Sequence, residues 1–426
     1  MTFFWLILYN AIFIPLAYLV LIIWAQFDTK LRDGITGRKT IWLKLEEFRR
    51  HSANHTVFLI HSASLGEFEQ AKPVIRGLKA IRPDIEIVAS FTSPSGFKNA
   101  ERIREVALFT YLPFDSFLNS RRFIQRLRPA KIIFVTYELW PNLIHLAQRY
   151  RIPTYLISAR IREGSTKLKP VIRTFFSELY RSLNYIYAIS DEHKKSVLKL
   201  IGSVNITVLT LGDTRYDQVI QRSREMIYKK IPKIFDDGFV FIAGSLWPQD
   251  ARHLLPALYR TLREYRQLKI IIAPHEPVEY VLEEFEDAFL TEGFETVRLS
   301  QREVTPGLQR VVLVDRVGIL AELYHQAHLA FVGGSFRGSI HNVMEPAVAG
   351  LPVLFGPTYT NSQEAKLLLE AGGARCCDNE VCIYEVLCNF LTHPEEYQQA
   401  ALSSRQVILE NMGASARTVK EILEST

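Results

Sequence analysis

Between Val57 and Pro357 the chain repeats one pattern: a short run of β-branched, aromatic and other apolar residues, then a stretch with helical spacing. The runs are VFLIHSAS, IEIVAS, KIIFVTYELW, IPTYLISAR and YIYAIS, followed by FVFIAGS, LKIIIAPHE, RVVLVD, LAFVGGS and PVLFGP. Runs that stay apolar instead of alternating belong to strands covered on both faces, and helical spacers between them make βαβ units of a parallel sheet. The two series are parted by a charged, helix-like stretch from Tyr216 to Lys233, with Pro232, Asp236, Asp237 and Gly238 around its end. A chain of 426 residues exceeds what one hydrophobic core usually serves. The expectation is two Rossmann-like α/β domains, 28–218 and 219–426, with the carboxyl ends of their sheets facing a central cleft.

Ahead of this pattern, Thr2 to Phe27 holds no charged side chain, a length sufficient to cross about 30 Å of hydrocarbon as a helix. It lacks a basic start and a small-residue cleavage site, so residues 1–27 read as a retained membrane anchor and not a removable signal. Pro15 should kink it, and Trp5, Tyr9, Tyr18 and Trp24 suit interface depth. Lys30, Arg32, Arg38, Lys39 and Lys44 follow, which by the positive-inside tendency places the next domain in the cytoplasm.

Charge narrows the partners. Lys and Arg number 51 against 45 Asp and Glu, and the net +6 is too small and dispersed for nucleic acid. Between Arg149 and Arg181, however, eight basic residues meet only Glu163 and Glu178, a balance that suits a solvated face, an anionic lipid surface or a phosphorylated acceptor. Cys376, Cys377, Cys382 and Cys388 cluster near the end without CxxC spacing, which argues against a zinc site and against a secreted disulfide framework.

Polar residues at strand ends are the candidates for chemistry. After VFLIHSAS comes Leu65-Gly66-Glu67, where Glu67 is either a general base at a sheet edge or a first-turn acid favoured by the helix dipole. Glu138 occupies the same kind of place after KIIFV, with Pro141 at the start of the next helix. In the second series Gly244 and Ser245 follow a strand, as do Pro274 and His275. Gly333, Gly334 and Ser335 open a loop whose free N–H groups could hold phosphate, and Glu345 could hold a ribose hydroxyl.

Taken in order, HSASLGE, ELWPN, GSLWPQD, APHEP, VGILAELY, FVGGSF with HNVMEP, and PVLFGP resemble the 3-deoxy-D-manno-octulosonic acid (Kdo) transferases of lipopolysaccharide assembly. That resemblance implies a GT-B fold and transfer of Kdo from CMP-Kdo to the lipid A precursor at the cytoplasmic face of the inner membrane, without metal or cofactor. It assigns Glu67 the proton-acceptor role and Glu138 transition-state support. Arg215 falls where the family has a second supporting residue, usually lysine. The family's CMP contacts correspond to Pro274, His275, Val317, Gly318, Ile319, Asn342, Val343, Met344 and Glu345. Tyr137 and His275 stand where the family has threonine and arginine. No DxD motif occurs, in keeping with metal-independent transfer. The rival reading is a nucleotide-sugar epimerase, which uses the same two-lobed fold.

Overall fold

The computed structural model describes residues 3–203, 206–228, 232–304 and 309–425. Contacts divide the chain into Met1–Gln218 with Met412–Thr426, and Val219–Asn411.

The first unit is built on a seven-stranded sheet of β1 (Val57–Ser62), β2 (Glu86–Phe91), β3 (Leu108–Tyr111), β4 (Lys131–Val135), β5 (Thr154–Ala159), β6 (Tyr185–Ala188) and β7 (Thr207–Thr210). Its order is β3-β2-β1-β4-β5-β6-β7, and every pair is parallel. Side chains alternate between two cores: Leu59, Val88, Ile132 and Phe134 enter one, while Ile60, Ile87, Ile133 and Tyr155 enter the other. All six residues of β1 are buried, which is why its run is continuously apolar. From β1 the order runs one way through β2 and the other way through β4. The β1–β4 junction is thus the switch point, where loops at the carboxyl ends diverge and leave a crevice.

The second unit repeats the design with β8 (Phe239–Leu246), β9 (Leu268–Pro274), β10 (Thr296–Arg298), β11 (Val311–Leu313), β12 (Leu329–Val332), β13 (Val353–Phe355) and β14 (Ala374–Cys376). The order is β10-β11-β9-β8-β12-β13-β14, again parallel, with the switch between β8 and β12. Just past β14, Cys377 and Cys382 form one local disulfide, and Cys376 and Cys388 are thiols.

The last helix, Ala414–Glu424, departs from the expected domain 219–426: residues 412–426 belong with the first unit by their contacts. Asp217 caps it by accepting from the N–H groups of Gly413 and Ser415, both at 2.6 Å, and Val419 and Ile422 join the first unit's core. Gly77 on the helix Leu65–Ile81 makes room for it, since a Cβ there would stand 2.9 Å from Val419 Cγ2.

At the amino end, Phe4–Trp24 is one helix long and apolar enough to cross a membrane by length and composition. A π-helical turn, Tyr9–Phe13, precedes Pro15, and the Ile14 N–H reaches back to the Tyr9 carbonyl. One side of this helix lies on the first unit. The Tyr9 hydroxyl donates to Asp115 at 3.2 Å, Asn10 and Asn142 exchange amide hydrogen bonds, and Trp5 meets Phe175 edge-on. Its other side leaves Phe4, Leu19, Ile23 and Trp24 exposed.

Candidate active site

Ser64 caps the helix Leu65–Ile81 by accepting from the Glu67 N–H, and the Glu67 carboxylate turns back to accept from the Ala63 N–H. This is close to a capping box, encoded by the S-x-x-E spacing of Ser64 and Glu67. Gly96, on the helix Pro94–Asn99, lets that segment close over the turn: a Cβ there would come 3.0 Å from the Leu65 nitrogen. Glu67 ends up 7% exposed, and burial raises its pKa against the opposing pull of the Ala63 and Ser64 backbone. The first-turn role and a readiness to accept a proton are therefore combined in one side chain.

Glu138 arrives from β4 through Thr136, a non-glycine residue in the left-handed region at φ 64°. Burial, with Glu67's negative charge adding to it, pushes its pKa up to about 7, while Thr92 and Arg38 pull the other way. Two carboxyls thus share the switch point, one after β1 and one after β4, and burial raises the pKa of both.

His61, at the end of β1, fixes this arrangement. The Trp140 indole can only donate, and its Nε1 lies 3.1 Å from His61 Nε2, so that nitrogen accepts. The imidazole proton is then on Nδ1 and donates to Ser90 Oγ at 2.9 Å. Burial lowers the His61 pKa to about 3, so its 3.9 Å approach to Glu138 is a contact with a neutral ring and not an ion pair. Arg38 supplies the nearby positive charge, anchored on the carbonyls of Gly34, Thr92 and Leu112 and lying over the Tyr111 and Phe114 rings. The sequence reading gave His61 no role and counted Arg38 only as membrane-side charge.

Arg215 is held by Asp213, with Nε at 3.0 Å and Nη2 at 2.8 Å, and Arg160 binds the same carboxylate. Burial alone would raise Asp213's pKa, but Arg215 and Arg160 outweigh it and hold the group ionised. The shared acid gathers two arginines at the carboxyl ends of β5 and β7. Arg160 directly follows IPTYLISA, and its place at a strand end was the available signal for it.

In the second unit the phosphate-loop expectation needs correction. Gly244 and Ser245 lie inside β8, not after it, and Ser245 sits at φ 53° where the strand register shifts. The Gly333 N–H donates to the Gly244 carbonyl, and the Gly334 and Phe336 N–H groups donate to Asp250. Ser335 is buried and its hydroxyl accepts from the Gly356 N–H. These donors are spent on the protein, and the glycines serve close packing: a Cβ on Gly333 would lie 2.2 Å from the Ser245 carbonyl oxygen. The next helix is the short Met344–Val348, where Asn342 accepts from the Met344 N–H, and Glu345 pairs with Arg222 at 3.1 Å.

What gathers at the β8, β9 and β12 ends is an aromatic stack. Trp247 and His275 lie 4.1 Å apart, His275 and His341 4.6 Å apart, and the Arg337 guanidinium covers the Trp247 ring at 3.5 Å. Trp247 Nε1 donates to His341 Nε2 at 2.8 Å, and burial lowers the His341 pKa. A flat face with one fixed cation beside it suits an anion attached to a planar ring. Val317 is exposed, Gly318 has φ 90°, and Ile319 precedes the short helix Leu320–Leu323.

The family model described as 3-deoxy-D-manno-octulosonic-acid transferase (kdotransferase) matches residues 39–218, the segment carrying Glu67, Glu138 and Arg215. Proteins named 3-deoxy-D-manno-octulosonic acid transferase are similar over far more of the chain. That of Chlamydophila psittaci is 27% identical over 79% of this chain and 77% of its own length, and that of Haemophilus influenzae is 26% identical over 84% of each. The chain is thus similar to the Kdo transferases over most of its length. It is accordingly a glycosyltransferase. Among solved structures, the UDP-GlcNAc 2-epimerase of Neisseria meningitidis matches with a TM-score of 0.64 at 16% identity, covering 87% of this chain and all of that one. MurG of Acinetobacter baumannii matches with a TM-score of 0.52 at 14% identity, covering 87% and 99%. At such identities the likeness concerns the fold, which is of the GT-B type. The epimerase resemblance extends to this chain's architecture and no further.

Proposed function

We propose that this chain moves Kdo from CMP-Kdo to the lipid A precursor by an inverting displacement. The reading is carried by the Glu67–Glu138 carboxyl pair at the switch point of the first unit. Glu67 takes the proton of the acceptor hydroxyl as that oxygen attacks the anomeric carbon and CMP leaves. Its raised pKa makes it a better base than an exposed glutamate, and the Ala63 N–H keeps its carboxylate aimed. Glu138, steadied by the His61–Trp140 contact beside it, supports the charge that develops on the sugar. Arg215 and Arg160 offset the charge of the leaving group without a metal.

We assign residues 28–218 to the acceptor and the second domain, 219–411 by its contacts, to the donor. Pro274, His275, Val317 to Ile319 and Asn342 to Glu345 are the proposed CMP contacts, with Trp247 and Arg337 added from the stack. The apolar helix Phe4–Trp24 and the basic residues that follow it support attachment at the cytoplasmic face of the inner membrane. Incubating purified protein with CMP-Kdo and lipid A precursor and reading product mass tests donor, acceptor and the number of Kdo units together. Failure to form any Kdo-bearing lipid would refute the proposal. Release of a rearranged sugar without acceptor would favour epimerase chemistry.

A further inference from the structure

A cavity of about 640 Å³ opens beside the candidate carboxyl pair, a volume within the range of ligand sites. Trp5, Ile12 and Leu16 of the amino-terminal helix form one wall, and Ile172, Phe175 and Leu179 of the helix Pro170–Arg181 form the other. Among the described residues, Glu138 is the one charged side chain in the lining. The polar groups nearby are already engaged: Tyr9 on Asp115, Asn10 on Asn142, and the Trp140 indole on His61. A polar ligand would give up its hydration here with nothing in return, whereas a hydrocarbon chain gains burial.

Two further observations specify the occupant. Along the amino-terminal helix the lining residue Leu16 continues on the same face into Leu19 and Ile23, which are exposed and suited to lipid. A chain can therefore enter from hydrocarbon without crossing water. Next to the lining residue Phe176, the Lys167 ammonium lies over the rings of Phe176 and Tyr137, at 5.3 and 5.9 Å, and donates to the Tyr180 hydroxyl. It is a cation braced by aromatic rings beside the segment that carries Glu138, placed to meet an anionic head group.

We propose that this cavity holds one acyl chain of the acceptor lipid, so that the amino-terminal helix is a wall of the acceptor site as well as a membrane contact. The proposal rests on the reading of the chain as a transferase acting on a lipid. Held this way, the lipid's head group lies at Glu138 with its phosphate toward Lys167, and its tail fills the space lined by Ile12, Leu16 and Ile172.

Ile172 is 41% exposed, so Ile172→Trp can narrow the cavity without disturbing a core. Transfer to the acylated acceptor and to its deacylated counterpart is measured for the full-length protein in nanodiscs. The ratio of the two kcat/KM values is expected to fall at least tenfold in Ile172→Trp. Independently of turnover, an acceptor lipid with a diazirine at the end of one acyl chain should label the peptide 170–181 of the wild type on irradiation. That label should disappear in Ile172→Trp. An unchanged ratio, or label absent from the peptide 170–181 of the wild type, overturns the proposal. If the wild type moves Kdo to neither acceptor, the proposed function fails, and the position of the label still decides the fate of the cavity.

Discussion

Replacing Glu138 by glutamine should make the enzyme more stable as it makes it less active, and the gain should depend on pH. In the folded protein the Glu138 pKa stands at about 7, against an ordinary value of 4.5. Below pH 4.5 the carboxyl is protonated in both folded and unfolded chains, and it contributes nothing. As pH rises through 4.5 the unfolded chain releases its proton while the folded chain keeps it, so folding becomes progressively costlier, and the full cost is present above pH 7. The side chain is only 24% exposed, so solvent screening is limited. Holding the proton that far above the ordinary carboxyl range corresponds to a cost on the order of 3 kcal/mol at pH 8, against roughly 1 kcal/mol at pH 5. Glutamine is uncharged throughout and similar in shape. The stability difference between Glu138→Gln and wild type should therefore widen by about 2 kcal/mol between pH 5 and pH 8, or roughly 4–8 °C in melting temperature for a domain of this size. Thermal unfolding of both proteins at the two pH values, followed by intrinsic fluorescence, measures it. A difference that stays flat with pH, or shrinks toward pH 8, would refute the burial and like-charge account of Glu138.

Other consequences are open to direct measurement. Glu67→Gln should lower turnover by about 10²–10⁴-fold while CMP affinity by calorimetry stays at the wild-type value; retained turnover would remove Glu67 from the base role. Gly333→Ala should destabilise the second unit by about 1–3 kcal/mol, because its Cβ would meet the Ser245 carbonyl oxygen, whereas the same added methyl at Gly66 meets no atom within 4 Å. Melting curves separate the two, and an activity loss in Gly66→Ala without a melting shift would mark close substrate approach at that position. Asp213→Asn leaves Arg160 and Arg215 without their shared carboxylate, and transfer should fall through misplacement of Arg215 with the chain still folded, as checked by circular dichroism alongside kcat.

The strands visible in the sequence and those that escaped it differ in one physical respect. Each of the ten apolar runs became a strand, from β1 and β2 through β12 and β13, because a strand flanked on both sides needs apolar residues on both faces. The four that escaped, β3, β7, β10 and β14, are the outermost strands of the two sheets. Their sequences, LFTY, TVLT, TVR and ARC, are short and partly exposed, so burial imposes no pattern on them. Candidate site residues divide along a similar line. Glu67 and Glu138 were legible because they directly follow core strands, where a polar residue has few structural reasons to be. His61 was hidden by lying inside an apolar run, and Asp115 by lying in a loop whose partners are 27 and 106 residues away. Glycines misled in the opposite direction: Gly244 and Gly333 read as room for phosphate, but the atoms they admit are Tyr324 and the Ser245 carbonyl. Spacing reports that a close approach is required and is silent about which atoms make it. The amino-terminal helix carries the same lesson, since its composition announces lipid contact, while Tyr9 and Asn10, two polar residues in an uncharged run, are what seat it on Asp115 and Asn142 beside the helix that follows Glu138.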